Sequence, residues 1–343
     1  MTIPLESIPS LTAAAALELA KTEYGLNGTI SALPSERDQN FLISGAATSS
    51  GPRGGKFVLK IANLHDPPEL LDFQNQAMRR VRAQVADLRV PQVQCTLEGL
   101  EITRIHDART GSDHHVRVLD WIDGDVLAKS ASRGPALFES IGAGMARVDT
   151  ALRGFSHPAM HRVLQWDLRR AGMARENAQL LPADKRSRVE RLFSLWERIE
   201  WTDLRHGVIH GDANDYNIIA GDGRMVGLLD FGDMVYTATV CDLAIALAYV
   251  MLGEREPLRV AAQVIRAYQR CHPLTAAEQQ ALYPLILSRL AMSVCYAAHN
   301  KARNPGDPYQ VVTEAAAWEL LDRLAPIAKE EALESIRAAC AAP

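Results

Sequence analysis

A two-residue turn constrains this chain more than any other feature. Asp222-Gly223 separates two apolar runs, Ile218–Ala220 and Val226–Leu229. Asp-Gly supplies the positive φ angles that a tight I′ hairpin demands. Such a hairpin returns the chain on itself, so the residues that flank it, Asn217 and Asp230, come side by side. Upstream, Val208-Ile209 leads into His210-Gly211-Asp212, and Asn217 stands five residues after Asp212; downstream the second strand ends in Asp230-Phe231-Gly232-Asp233. The expectation is one carboxylate, Asp212, on the loop before a paired amide and carboxylate.

Hard oxygens in that order suit phosphoryl transfer. That reaction needs Mg2+ held by one or two protein oxygens and the nucleotide phosphates, plus a carboxylate that orients the attacking hydroxyl. On this reading Asp212 accepts the hydroxyl proton while Asn217 and Asp230 hold the metal. The order Asp, four residues, Asn, hairpin, Asp-Phe-Gly is that of the protein-kinase catalytic and metal loops. Taken singly, the pieces have blander readings: His-x-Asp as two ligands of a metallohydrolase, Asp-Phe-Gly as a chance match. In register they point to a kinase-like chain. With His-Gly-Asp where protein kinases carry His-Arg-Asp, the segment closely resembles the aminoglycoside phosphotransferase and choline kinase superfamily.

The 343 residues exceed what one core usually organises, so two lobes are expected. A formal net charge of −4 argues against nucleic acid or an anionic membrane as partner, since both are bound by concentrated Lys and Arg. The five cysteines, Cys95, Cys241, Cys271, Cys295 and Cys340, are scattered and odd in number, the pattern of reduced thiols in a cytoplasmic protein. The N-terminal apolar stretch lacks a basic start and is interrupted by Glu6 and Glu18, so it reads as a helix from near Ser10 and not as a signal peptide. Apolar runs such as Leu243–Leu252 are too short to cross a membrane.

In chain order, strands are expected at Gly28–Leu33 and Asn40–Ser44, with a glycine-rich outer hairpin over Gly45–Gly55 that has neither the spacing nor the Ser/Thr of a P-loop. The turn between the two strands is an ordinary hairpin on its residues alone. Leu33 to Phe41 is also similar to the first-hairpin loop of hydroxylysine kinase-like members of the superfamily, which implies that Ser35 and Gln39 approach a phosphate. Lys60 sits in the apolar strand Lys56–Ile61, where burial without an anion is costly; it either reaches the α- and β-phosphates or lines a solvated edge. The helix from Pro67 to Val85 has Gln74 where protein kinases pair a glutamate with this lysine, so Glu69, Asp72 or Gln74 itself would partner Lys60. Strands at Gln92–Leu97, Leu100–Ile105 and His114–Ile122 complete the small sheet; His114 and His115 face opposite ways and do not form a metal pair. The segment from Asp120 through Ile122 to Asp125 reads as the interlobe hinge, and the resemblance implies that its backbone bonds the purine.

Helices are expected at Leu137–Leu152, Trp166–Leu181, Ala183–Glu200, Thr239–Leu252, Pro257–Cys271, Ala276–Asn300 and Gln310–Leu324, the last ended by Pro326. The resemblance makes Asp242 a brace of the catalytic loop. Arg289, Ser293, Tyr296 and Asn300 share one helix face, which looks either into an acceptor pocket or onto solvent or a neighbouring helix. Asp215 and Asp233 are either anions for a substrate ammonium or loop-bonding residues, and Arg289 is a candidate for an acceptor carboxylate.

The resemblance covers nearly the whole chain and implies an α+β, bilobal, protein-kinase-like fold. Residues 1–120 would form a small antiparallel-sheet lobe for the nucleotide, and 121–343 a mainly helical lobe with the catalytic and metal loops. It implies a kinase moving the γ-phosphate of ATP or GTP to the hydroxyl of a hydroxylysine-like or ethanolamine-like amino alcohol, and a functional link to a PLP-dependent phospholyase. Aminoglycoside phosphotransfer and homoserine or choline phosphorylation use the same core. A catalytically silent nucleotide-binding scaffold is disfavoured because Asp212, Asn217 and Asp230 are all present.

Overall fold

The computed structural model describes residues 8–35, 37–47, 55–303 and 313–342. Most of the predicted outer hairpin, and Glu36 of the loop before it, lie outside these residues. The chain forms two units, Met1–Arg79 with Val90–Asp123, and Arg80–Arg89 with Gly124–Pro343. The sequence reading places a single boundary at Asp120.

In the first unit, α1 (Ala13–Tyr24) precedes β1 (Asn27–Leu33), β2 (Gln39–Ala47), β3 (Gly55–Ile61), α2 (Pro68–Gln84), β4 (Val93–Gln94), β5 (Thr103–Asp107) and β6 (Ser112–Asp120). The strands form one antiparallel sheet in the order β1-β2-β3-β6-β4, with β5 also paired to β6. Period-two patterning decides its faces. Phe41 and Ile43, Phe57, Leu59 and Ile61, and Val116 and Val118 are buried in one cluster with Leu19 and Ala20 of α1. The intervening residues Asn40, Lys60 and Arg117 pair in a row across β2, β3 and β6 on the opposite face. The predicted strand at 92–97 shortens to β4, because the Thr96 N–H instead closes a turn onto the Leu100 carbonyl at 2.7 Å.

The second unit runs β7 (Asp125–Val126), α3 (Pro135–Leu152), α4 (Gly172–Arg175), α5 (Ala183–Trp196), β8 (His206–Ile209), β9 (Ile218–Gly221), β10 (Arg224–Leu228), β11 (Val235–Ala238), α6 (Val240–Val250), α7 (Pro257–Cys271), α8 (Ala276–Arg303), α9 (Glu314–Leu324) and α10 (Lys329–Ala341). Arg80–Arg89 belongs here because Arg89 brackets β10: its N–H donates to Val226 O and its carbonyl accepts from Leu228 N, both at 3.0 Å. Helices α3 and α7 pack so closely at Gly142 that a Cβ there would stand 2.1 Å from the Val264 carbonyl.

Helix α8 is the core of this unit. It is long and apolar enough to cross a membrane by length and composition, yet 94% of its most apolar window is buried within the protein. Its start carries a capping box: Glu278 N donates to Thr275 Oγ1 at 3.2 Å and Thr275 N to Glu278 Oε2 at 2.8 Å. The helix expected at Trp166–Leu181 is instead a run of short turns and α4. Asp167 starts the first of them by accepting the Arg169 N–H at 3.0 Å, the local bond by which Asp competes with a helix interior. A further helix, α10, follows Pro326 and was not expected.

Candidate active site

The turn chemistry read from Asp222-Gly223 is present in the backbone, with φ of 50° and 70°. Strands β9 and β10 pair from Arg224–Gly221 to Leu228–Ile218, and Leu229 N donates to the Asn217 carbonyl at 2.8 Å. That bond sets Asn217 against the residue preceding Asp230. Asp230 itself is exposed, takes a left-handed φ of 53°, and accepts the Gly232 N–H at 3.0 Å.

Asp212 is held from both sides. Its Oδ1 accepts Arg289 Nη2 at 2.9 Å, and its Oδ2 accepts the side-chain amides of Asn214 at 2.9 Å and Asn217 at 2.8 Å. The Asn217 amide also donates to the Asp212 carbonyl at 2.8 Å. With Nδ2 so employed, Asn217 keeps its Oδ1 for a cation. Asn214, which sequence reasoning missed, makes the loop: its Oδ1 accepts the N–H groups of Tyr216 at 2.8 Å and Asn217 at 3.0 Å. An Asn two residues after the Asp was a readable turn signal.

The His-Gly-Asp residues are braced from below. Asp242, fully buried in α6, accepts His210 N at 3.0 Å and Gly211 N at 2.9 Å. His210 accepts the Asp212 N–H on Nδ1 at 3.2 Å, its Nε2 meets the Leu229 carbonyl at 2.8 Å, and its ring stands edge-on to Phe231. Gly211 has φ of 81°, and a Cβ there would lie 2.4 Å from the Asp233 carbonyl, so only glycine fits between Asp212 and Asp233.

Charge at this loop is unbalanced. Burial raises the Asp212 pKa to about 8; Arg289 opposes that rise, and Asp233 and Asp230 add to it. A divalent cation would offset this excess, so the residues present fit Mg2+. Among the described residues no three His, Cys, Asp or Glu side chains cluster as a metal site.

The two acids offered for a substrate ammonium part company. Asp233 is buried within electrostatic reach of Asp212 and Arg289. Asp215 is buried too, but the neighbouring charge is Arg133; among the described residues its Oδ1 has no hydrogen-bond partner, and burial raises its pKa to about 6. Arg289, expected to face an acceptor carboxylate, is 2% exposed and has its guanidinium on Asp212 instead. The face it shares with Ser293 and Tyr296 meets Tyr249 and the Gln165-Trp166 segment, not solvent.

In the first unit, Gln74 does not wait for Lys60. Gln74 and Asn75 accept the guanidinium of buried Arg117, the latter at 2.7 Å, and the Leu71 carbonyl accepts it at 3.3 Å. Arg117 is Lys60's direct cross-strand neighbour. Sequence reasoning passed over it, although an arginine inside an apolar strand carries the signal that singled out Lys60. The Gln39 side chain exchanges two 2.8 Å bonds with the backbone of Leu11. Ser35 accepts the Asp38 N–H at 3.2 Å. Asp120 N donates to the Gln92 carbonyl at 2.9 Å, and Ile122 is buried.

The chain is similar to known proteins. Residues 29–281 match the model of the phosphotransferase enzyme family. Hydroxylysine kinase of Mus musculus is 31% identical over 92% of this chain and 90% of its own length. Hydroxylysine kinase of Danio rerio is 28% identical over 95% of each chain. Among solved structures, an amicoumacin kinase in complex with AMP-PNP, Ca2+ and Ami superposes with a TM-score of 0.70 at 14% identity, covering 94% of this chain and 97% of its own. A microcompartment-associated aminopropanol kinase does so with a TM-score of 0.66 at 16% identity, covering 94% of each chain. These likenesses carry the bilobal α+β kinase-like fold expected from the sequence.

Proposed function

We propose a function that proceeds from the family to which the chain belongs, the phosphotransferase enzyme family, whose members here are kinases acting on an alcohol group. The chain transfers the γ-phosphate of ATP or GTP to the hydroxyl of a small amino alcohol, hydroxylysine-like or ethanolamine-like. One observation carries the reading of the chemistry: the Asp212 carboxylate is fixed by Arg289, Asn214 and Asn217 beside the start of the Asn217–Asp230 hairpin. Support for the amino-alcohol acceptor comes from the relatives named hydroxylysine kinase.

In this mechanism positioning and charge do most of the work. Asp212 orients the acceptor hydroxyl and takes its proton as the oxygen bonds to the γ-phosphorus and the bond to the β–γ bridging oxygen breaks, releasing nucleoside diphosphate. Asn217 Oδ1 and the Asp230 carboxylate would hold magnesium, which neutralises phosphate charge when bound. In the first unit, Lys60 is assigned to the α- and β-phosphates, the Ser35 loop to phosphate, and the backbone of Asp120 and Ile122 to the purine. Asp233, with Asp215 as the second candidate, supplies the anion that a substrate ammonium needs. The product, a phosphorylated amino alcohol, is of the class that a PLP-dependent phospholyase would consume.

The test is a screen of hydroxylysine, ethanolamine, aminopropanol and a multi-ring aminoglycoside with ATP and with GTP, in magnesium. Amino alcohols should be phosphorylated with the higher kcat/KM, and the same plates assign the donor base. A preference for the aminoglycoside would sink the acceptor assignment.

A further inference from the structure

We infer that Arg289 is a positioning residue for phosphoryl transfer, acting through the carboxylate of Asp212. The inference rests on the reading of Asp212 as the proton acceptor. Every nitrogen of the guanidinium has an acceptor: Nη2 meets Asp212 Oδ1 at 2.9 Å, Nη1 the Trp166 carbonyl at 3.1 Å, and Nε the Tyr249 hydroxyl at 3.3 Å. Its Cζ lies 4.5 Å from the Trp166 ring centroid and 5.4 Å from that of Tyr249. These holders are themselves held, Tyr249 by Ser293 at 3.3 Å and Trp166 by the Tyr296 ring at 4.6 Å. Ser293 and Tyr296 are the residues on Arg289's own helix face.

A planar cation pinned at three points and packed against two rings does not follow a carboxylate; it fixes one. With Oδ1 taken by Arg289 and Oδ2 by two amides, three donors set the rotation of the Asp212 carboxylate about its own bond. A fold that needed only to fill the space between Trp166 and Tyr249 would use an apolar side chain, because burying a charge for stability alone gains little. The guanidinium is therefore explained by the charge it faces. Three of its five N–H groups are placed by these contacts, and the Nη2 contact is with the catalytic loop's own carboxylate. Lysine would keep the charge and lose both the fork and the ring contacts.

A double-mutant cycle tests this. Arg289→Gln, Asp212→Asn and the double variant are compared with the full-length wild type. Two rates are read, phosphate transfer to hydroxylysine and nucleotide hydrolysis without acceptor, the second needing no assigned acceptor. Asp212→Asn should lower kcat by about 10²- to 10⁴-fold, the usual worth of a positioned base. Arg289→Gln should lower kcat by about tenfold to a hundredfold while nucleotide KM holds within about twofold, a loss confined to the transition state. In the Asp212→Asn background the same Arg289 change should cost less than about threefold, since groups acting as one unit are not additive. Equal losses in both backgrounds, or no loss in either, would overturn the inference and leave the base assignment standing. An Asp212→Asn variant with undiminished rates would overturn the base assignment, and the inference with it. If Arg289→Gln fails to bind nucleotide or to fold, the cycle is run with Arg289→Lys, for which the same non-additivity is expected.

Discussion

Replacing the buried carboxyl of Asp149 by an amide should strengthen this protein. Asp149, on α3, is 2% exposed and accepts the Tyr268 hydroxyl at 2.5 Å. Burial, and then the charge of Asp242 beside it, hold its pKa well above the carboxylate range. In the fold Asp149 keeps its proton, whereas in the unfolded chain it loses it above about pH 4. Its contribution to stability is thus full below that pH and declines as pH rises. The decline is about 1.4 kcal/mol per pH unit for as long as the folded group alone stays protonated. Asparagine has the same shape and is neutral at every pH. Its oxygen accepts Tyr268 and its amide faces the Asp242 carboxylate, which goes on accepting His210 and Gly211. Asp149→Asn should therefore be near neutral at pH 4 and stabilising at pH 7, with a gain growing by about 1.4 kcal/mol between pH 5 and 6. Urea unfolding of both proteins at pH 4, 5, 6 and 7 measures that difference. A variant less stable at pH 7, or a difference that does not change with pH, would show that the folded Asp149 is ionised and refute the argument.

Three further outcomes are expected. Asp230→Ala should weaken magnesium-nucleotide binding by removing a charged ligand; unchanged magnesium dependence in a nucleotide titration would put the metal elsewhere. His272 is buried, has its Nδ1 3.2 Å from the Thr150 hydroxyl oxygen, and has its pKa lowered to about 4, first by burial and then by Arg205 and Arg153. A depressed histidine contributes stability above about pH 6.5 and loses it as pH falls toward 4, at most about 3 kcal/mol, so His272→Gln should flatten the acid limb of the stability profile and an unaltered slope would contradict it. Glu278→Ala leaves Arg205 and the Thr275 N–H without the acceptor they share at 2.6 and 2.8 Å, and should cost about 3 kcal/mol in urea unfolding; a loss below about 1 kcal/mol would mean that water replaces it.

What could be read from the sequence was what local chemistry decides. Asp222-Gly223 dictates its own φ angles, and the hairpin dictates that Asn217 meets the residue before Asp230. Period-two burial in β2 and β3 was equally legible, because alternation is a property of the strand. Partnerships between distant residues were another matter. Gln74 accepts Arg117, a partnership made by which face of α2 lies over β6. Gln39 is drawn to the backbone of Leu11, 28 residues upstream in sequence and just before α1.

Arg289 shows where that limit falls. Helical spacing alone put Arg289, Ser293 and Tyr296 on one face, and that grouping holds. What the face meets depends on the Gln165-Trp166 segment, where a helix was expected to start at Trp166 and a turn is found instead, its carbonyls receiving Tyr296 and Arg289. A helix there would have spent those carbonyls on its own N–H groups four residues on. The turn begun at Asp167 releases them, and the arginine they anchor lies 77 residues from the aspartate it holds. One local hydrogen bond, Asp167 to the Arg169 N–H, thus stands behind the fixed orientation of Asp212.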